Sequence, residues 1–387
     1  MSSSRSWLLS LALLWLIGIA LRLSILAVPP AIPALRGEFS LSGTEIAALS
    51  GAPIIIFAAA SLAGSRLVAR IGIVAAVMTG LLLTALGSAG RSLAVGTISL
   101  LVTTVVMGIG AAIAQPAMPA LVGRWLPKRL VLGTGVYTNG LLVGEIFPVA
   151  IPLLSPALAD NWRVMFAAWA VPIAAIAALV FALAPREETR SVTAVSGRWW
   201  PNWPAIDVLR LGLIFGGVGP LYFGTNAFLP GYLSEAGRAD LISPALTALN
   251  LGQLPASFLL IAFARRIERR AWPFILSSLV GLTGIGAIVV TASALTVVSA
   301  AVVGFAAGAA FALGLTLPPL LSKPEEVARV AAAMFTISYA STVVVSLLCG
   351  ALWDFSATAR AAFLPIALAA ILPIALIPTI RFERAGA

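Results

Sequence analysis

Two ionisable side chains stand inside stretches of sequence that are otherwise apolar. Arg22 lies in LLSLALLWLIGIALRLSILAVPPAIPAL (8–35), and Glu145 lies in GVYTNGLLVGEIFPVAIP (135–152). A guanidinium at the centre of a bilayer costs about 2.5–3.5 kcal/mol on insertion scales, so a chain that keeps one points it into a protein interior or a wet cavity. An arginine there can hold the negative end of a substrate. A carboxyl at similar depth can accept a proton or orient the substrate. Alternatively the two side chains pair with each other, so that neither charge is left bare. The two readings are compatible, because a pair opened by substrate is a coupling switch.

Uncharged polar residues at similar depth could complete such a site. They are Gln115, Tyr137 and Asn139 in the first half, and Tyr222, Asn226, Asn250, Gln253 and Tyr339 in the second. Each can hydrogen-bond a substrate or join helices to one another. The second half has no charge deep inside its spans, which leaves the charged end of a substrate to the first half. The substrate site expected from these residues is Arg22, Tyr137, Asn139, Tyr222, Asn226 and Tyr339, with Glu145 as the proton-coupling candidate.

Other chemistries lack their residues. The chain has no histidine, which removes Ser-His and Cys-His dyads, HExxH zinc sites and histidine proton relays. Its two lysines, Lys128 and Lys323, follow no glycine, so there is no Walker A loop. The lone cysteine, Cys349, sits in an apolar run and reads as a packing residue. A transporter-like sensor would need a signalling domain, and an enzyme a cluster of nucleophile or metal ligands; neither is visible. No cofactor and no metal are expected.

These residues must be held by membrane-spanning elements. Apolar residues make up 60% of the 387, charged residues only 10%, and the mean hydropathy is +1.06. Soluble chains are about a quarter charged. A span needs about 20 mainly apolar residues, and twelve stretches qualify: 8–35, 42–68, 72–90, 94–122, 130–156, 163–184, 207–234, 242–264, 271–291, 294–321, 326–350 and 359–380. The first is too long and too interrupted for a signal peptide and reads as a retained span. The expected fold is all-α and integral to the membrane, with twelve transmembrane helices in two six-helix pseudo-repeats. Residues 1–184 and 207–387 form the halves, and the polar stretch 185–206 is a cytoplasmic linker.

The net charge of +10 is distributed between spans and does not form a basic patch with interleaved aromatics, so nucleic acid is not an expected partner. With the N-terminus inside, eighteen of the 24 Lys and Arg fall in cytoplasmic segments. Only Arg36, Arg91, Arg163, Arg238 and Arg360 fall outside, and Arg22 stays in the membrane. Both termini are therefore expected in the cytoplasm. Trp125, Trp162, Trp272 and Trp353 fall at span ends, where interfacial anchors belong. The halves repeat weakly: GIGAAIAQPAMPALVGRWLP (108–127) resembles GFAAGAAFALGLTLPPLLSKP (304–324), and Tyr137 has Tyr339 at the matching place. Gly140/Gly144 and Gly304/Gly308 have the GxxxG spacing of close helix contacts.

The join GSRLVARIG (64–72) resembles the loop signature of the major facilitator superfamily at Gly64, Arg70 and Gly72, with Ala69 where that signature has an acid. Five further stretches extend the resemblance to the cyanate and 2-nitroimidazole transporter branch of that superfamily. They are LRLSILAVPPAIPALRGEFSLSGTEIAALSGAPIIIFA (21–58), GIGAAIAQPAMPALVGRWLPKRLVLGTGVYTNG (108–140), NWRVMFAAWA (161–170), NAFLPGYLSEAG (226–237) and CGALWDFSA (349–357). The resemblance implies alternating access for a small anion or small polar heterocycle, and it carries over Arg22 and the prolines beside it. The expected function is secondary transport of a small anion, cyanate-like or a small organic acid, taken up with protons. The alternative is proton-antiport export of a small neutral heterocycle. The expected setting is the bacterial inner membrane, and the expected partners are a small-molecule substrate, protons and lipid, with the chain a monomer.

Overall fold

The computed structural model describes residues 3–25, 27–40, 43–154, 161–185, 200–203, 205–267, 269–290 and 292–380. Most of the expected linker and the basic C-terminal tail lie outside them. Among the described residues there are helices and turns and no strand. A bilayer offers no water to bare backbone groups, which is why the apolar stretches of such a chain fold into helices. Many large apolar side chains are left exposed, among them Val95, Phe181, Leu347 and Phe355. Such a surface suits lipid.

The chain divides into two compact units. One is Met1–Pro201 with Lys323–Ala332, and the other is Asn202–Ser322 with Ala333–Ala387. The first unit contains α1 (Ser3–Leu23), α2 (Val28–Phe39), α3 (Gly43–Ile71), α4 (Ile73–Ser92), α5 (Thr97–Trp125), α6 (Leu130–Leu154) and α7 (Trp162–Leu183). Here α1 packs on α6, α3 on α5, and α4 on both α5 and α7.

The first apolar stretch, expected as one span over 8–35, is in fact two helices, broken between Leu23 and Val28. The reason is local. Pro29 and Pro30 open α2, where a missing N–H costs nothing, but they cannot continue a helix arriving from α1. Gly72 joins α3 to α4 at φ +86°, a backbone setting that glycine takes without penalty. Asn161 caps α7 by accepting a hydrogen bond from the Val164 amide at 3.1 Å.

The second unit contains α8 (Ile206–Gly216), α9 (Thr225–Glu235), α10 (Ile242–Ile267), α11 (Trp272–Val290), α12 (Leu295–Leu321), most of α13 (Val327–Ser356) and α14 (Phe363–Leu376). Between α8 and α9 the chain makes a single π-helical turn, Pro220–Gly224. Such wide turns free backbone groups and recur at functional sites. The core of this unit gathers Leu229, Leu233, Leu249, Ile285, Val303, Phe363 and Ile366, with Cys349 fully buried among them. Ten of the helical stretches, counting Ile206–Glu235 as one, are long and apolar enough to cross a membrane. The broken α1–α2 pair and α3 occupy the two remaining stretches of the twelve.

Candidate functional site

Arg22 sits in the last turn of α1, and its Nε lies 3.4 Å from Oε1 of Glu145 on α6. The two side chains are 9% and 11% exposed. The helices come close enough to pair them because small residues line the seam. A Cβ added to Gly144 would stand 2.5 Å from the Ile19 carbonyl oxygen, and one on Gly140 or Gly18 would collide with the backbone of Trp15 or Tyr137. The GxxxG pair of α6 is therefore the surface on which α1 rests.

Two more of the expected site residues lie on α6. Tyr137 is buried, at 1% exposure. Asn139 accepts a hydrogen bond from the Trp15 indole N–H at 2.9 Å, so it also helps tie α6 to α1. Arg22, Tyr137, Asn139 and Glu145 thus all belong to the α1–α6 pair.

The remaining expected residues belong to the second unit. Tyr222 lies in the π turn and donates its hydroxyl to Oδ1 of Asn250 on α10, at 2.6 Å. Asn250 in turn donates its amide to the Leu246 carbonyl at 2.8 Å. Asn226 is half-buried in the first turn of α9. Tyr339 on α13 stacks on Phe335, with ring centroids 5.9 Å apart, and Phe335 meets Phe215 edge-on. One turn beyond Asn250, Gln253 is buried, and its amide nitrogen has no partner among the described residues. Its stem lies over Gly308 of α12, and Gly304 lies against Leu249 in the same way. Asn250 and Gln253 lie one turn apart on α10, and of the two it is Asn250 that bonds Tyr222.

Two sequence expectations need correction. Arg91, counted among the outside loop charges, has no exposed surface. It closes α4, donates to the carbonyl and hydroxyl oxygens of Ser24, and lies over the Phe166 ring at 4.3 Å. Arg22 and Glu145 are therefore not the only charges inside the bundle. Trp162, expected as an interfacial anchor, is 3% exposed. It donates to Glu38 at 2.8 Å and meets Phe39 and Phe166 edge-on.

Glu38, at the end of α2, also accepts from Arg163 at 2.8 Å. Hydrogen bonds from Arg163 and then Trp162 hold its carboxyl below the usual carboxylate range. The Arg163 guanidinium reaches the Ala94 carbonyl at 3.0 Å, which joins the end of α2 to the α4–α5 join and to α7. Among the described residues no group of three or more carboxylates or thiols could hold a metal ion.

Comparison with known proteins agrees with this architecture. Residues 14–345 match the Major Facilitator Superfamily. The cyanate transport protein CynX of Escherichia coli K12 is 30% identical over 314 residues, 79% of this chain and 80% of that protein. The uncharacterised transporter YycB of Bacillus subtilis 168 is 23% identical, covering 81% and 78%. Among solved structures, the proton:xylose symporter XylE superposes with a TM-score of 0.77 at 12% identity over 98% of this chain and 96% of its own. The transporter FucP in its outward conformation superposes with a TM-score of 0.72 at 15% identity, over 97% and 99%. A helical chain of this span count, matched over most of its length in sequence and nearly all of it in shape, belongs to the major facilitator superfamily, in the branch that holds the cyanate transport protein.

Proposed function

We propose that this major facilitator transporter carries a small monovalent anion, cyanate-like or a small carboxylate, inward across the bacterial inner membrane together with one proton. The observation that carries the reading is the Arg22–Glu145 pair. A buried site is held near electrical neutrality by the cost of bare charge in a bilayer. In the empty state Arg22 and Glu145 neutralise each other. An anion that takes over the guanidinium displaces the carboxylate, and a proton on Glu145 then restores neutrality. One anion and one proton therefore load together, and the loaded site has the same net charge as the empty one. The inside-negative potential, which opposes a lone anion by about 2.3 kcal/mol per 100 mV, then drops out of the cycle.

The similarity to a cyanate transport protein supports an anion of that size, and the fold shared with a proton:xylose symporter fits proton coupling. Tyr137 and Asn139 on one half, with Tyr222, Asn226 and Tyr339 on the other, complete the site in this reading. Residues 1–184 and 207–387 rock about it, with 185–206 as the cytoplasmic linker and the chain working as a monomer.

Proteoliposome flux of cyanate, then of formate and acetate, tests the reading. An inward pH gradient drives uptake, and a potential imposed without a pH gradient does not. Arg22→Lys keeps the charge but loses the planar fork of donors and lowers flux at least about tenfold, the weight of one charge-assisted hydrogen bond. Glu145→Gln abolishes pH-driven uptake. Flux that ignores the pH gradient, or that survives both substitutions, overturns the anion-proton mechanism. Outward movement of a neutral nitroimidazole would replace it with export.

A further inference from the structure

We infer that Arg91 is a positioning residue: it caps the C-terminal end of α1 from a neighbouring helix and so fixes the turn that carries Arg22. The role of Arg22 rests on the function proposed above; the capping contact does not.

A helix end leaves its last carbonyls without intrahelical partners. In water they are solvated, but in an apolar bundle each one is costly. The end of α1 is forced by Pro29 and Pro30 and lies inside the first unit: Leu23 is 2% exposed, and Ser24 and Ala27 show no exposed surface. The Ile25 amide closes the turn on the Arg22 carbonyl at 3.2 Å. Two residues on, the Ser24 carbonyl accepts from the Arg91 guanidinium at 2.7 Å. The same terminal nitrogen reaches the Ser24 hydroxyl.

Arg91 is fully buried, and no carboxylate pairs with it among the described residues. Its Nε and second terminal nitrogen have no hydrogen-bond partner there. What holds it is the Phe166 ring 4.3 Å from its guanidinium carbon and its place in the last turn of α4, where the helix dipole favours a cation. Phe166 is fixed in turn, because its carbonyl accepts from Ser88 on α4 at 2.9 Å. A buried cation with one residue as its acceptor is an expensive way to pack a helix end. It is a direct way to hold one carbonyl, and with it the turn containing Arg22.

The test uses the full-length protein in nanodiscs, with Arg91→Met, Arg91→Lys and Ser24→Ala. Hydrogen–deuterium exchange of the peptide covering 18–27 is read without any substrate. Arg91→Met raises exchange there about tenfold, as expected for loss of a hydrogen bond to a charged group. Arg91→Lys, which can still donate to the carbonyl, stays within about threefold of wild type, and so does Ser24→Ala. Cyanate uptake by the same variants shows a raised KM with Vmax nearly unchanged for Arg91→Met, and recovery in Arg91→Lys.

Unchanged exchange over 18–27 in Arg91→Met overturns the inference. So does exchange raised equally across α3 to α7, which would mark general loosening, or a fall in Vmax alone. Should the wild type move no cyanate, the transport reading fails by itself, and the exchange result still decides whether Arg91 caps α1.

Discussion

Arg22 and Glu145 are opposite charges at 3.4 Å in a nearly dry seam. A buried pair of this kind adds little net stability compared with apolar residues of the same volume, yet removing one partner leaves a bare charge and costs about 3–5 kcal/mol. Arg22→Met and Glu145→Met should therefore each lower the thermal midpoint strongly, while the double variant recovers most of the loss. Thermal unfolding in one detergent measures all four proteins; a double variant no more stable than the worse single one would show that the two do not act as a pair. Both residues are legible in the sequence because each is a charge in an apolar run. Arg91 is not, because an arginine at the end of a span is the ordinary signature of a loop. Its burial follows from the break at Ser24, which the prolines of the first stretch announce only as a kink. The Tyr222–Asn250 bond is half-legible: both polar residues show, but their meeting depends on the π turn, which leaves no sequence mark beyond Pro220.

Helix seams in this chain depend on where glycine faces a backbone. Gly144 of α6 faces the Ile19 carbonyl oxygen, 2.5 Å from where a Cβ would sit, whereas nothing lies within 4 Å of a Cβ on Gly350 of α13. Gly144→Ala should cost about 1–3 kcal/mol, because α1 must move away from α6. Gly350→Ala should be neutral or stabilising by up to about 1 kcal/mol, because alanine is the better helix former. Equal midpoints for the two variants would remove the α1–α6 contact as the reason for glycine at 144. The tether at the end of α2 adds a pH dependence. The Glu38 carboxyl is held below its ordinary value of 4.5 by Arg163 and Trp162. A carboxyl with a lowered folded-state pKa stabilises the fold above its ordinary value and loses that contribution as pH falls through the lowered one. The midpoint difference between wild type and Glu38→Gln should therefore be constant from neutral pH to about 5 and shrink as the pH falls below that. A difference that stayed constant down to pH 3 would mean that the carboxylate charge does not matter to the tether.

At the scale of the whole molecule, span count and helical class follow from hydropathy, because a bilayer allows an apolar chain few other choices. Sidedness is expected differently, from the distribution of Lys and Arg over the joins, which favours both termini in the cytoplasm. On the sidedness expected from that count, the α5–α6 join carrying Lys128 faces inward, and the α9–α10 join carrying Ala236 faces outward. Both positions are exposed. The single native thiol, Cys349, is fully buried, so Cys349→Ser gives a quiet background for Ala236→Cys and Lys128→Cys. A membrane-impermeant maleimide applied to intact cells should label position 236 and leave position 128 unlabelled until the membrane is opened. The reverse pattern would invert the expected sidedness and place both termini outside. Labelling of both positions from outside would mean that the segment between them does not cross the bilayer an odd number of times, which is incompatible with the twelve-span reading.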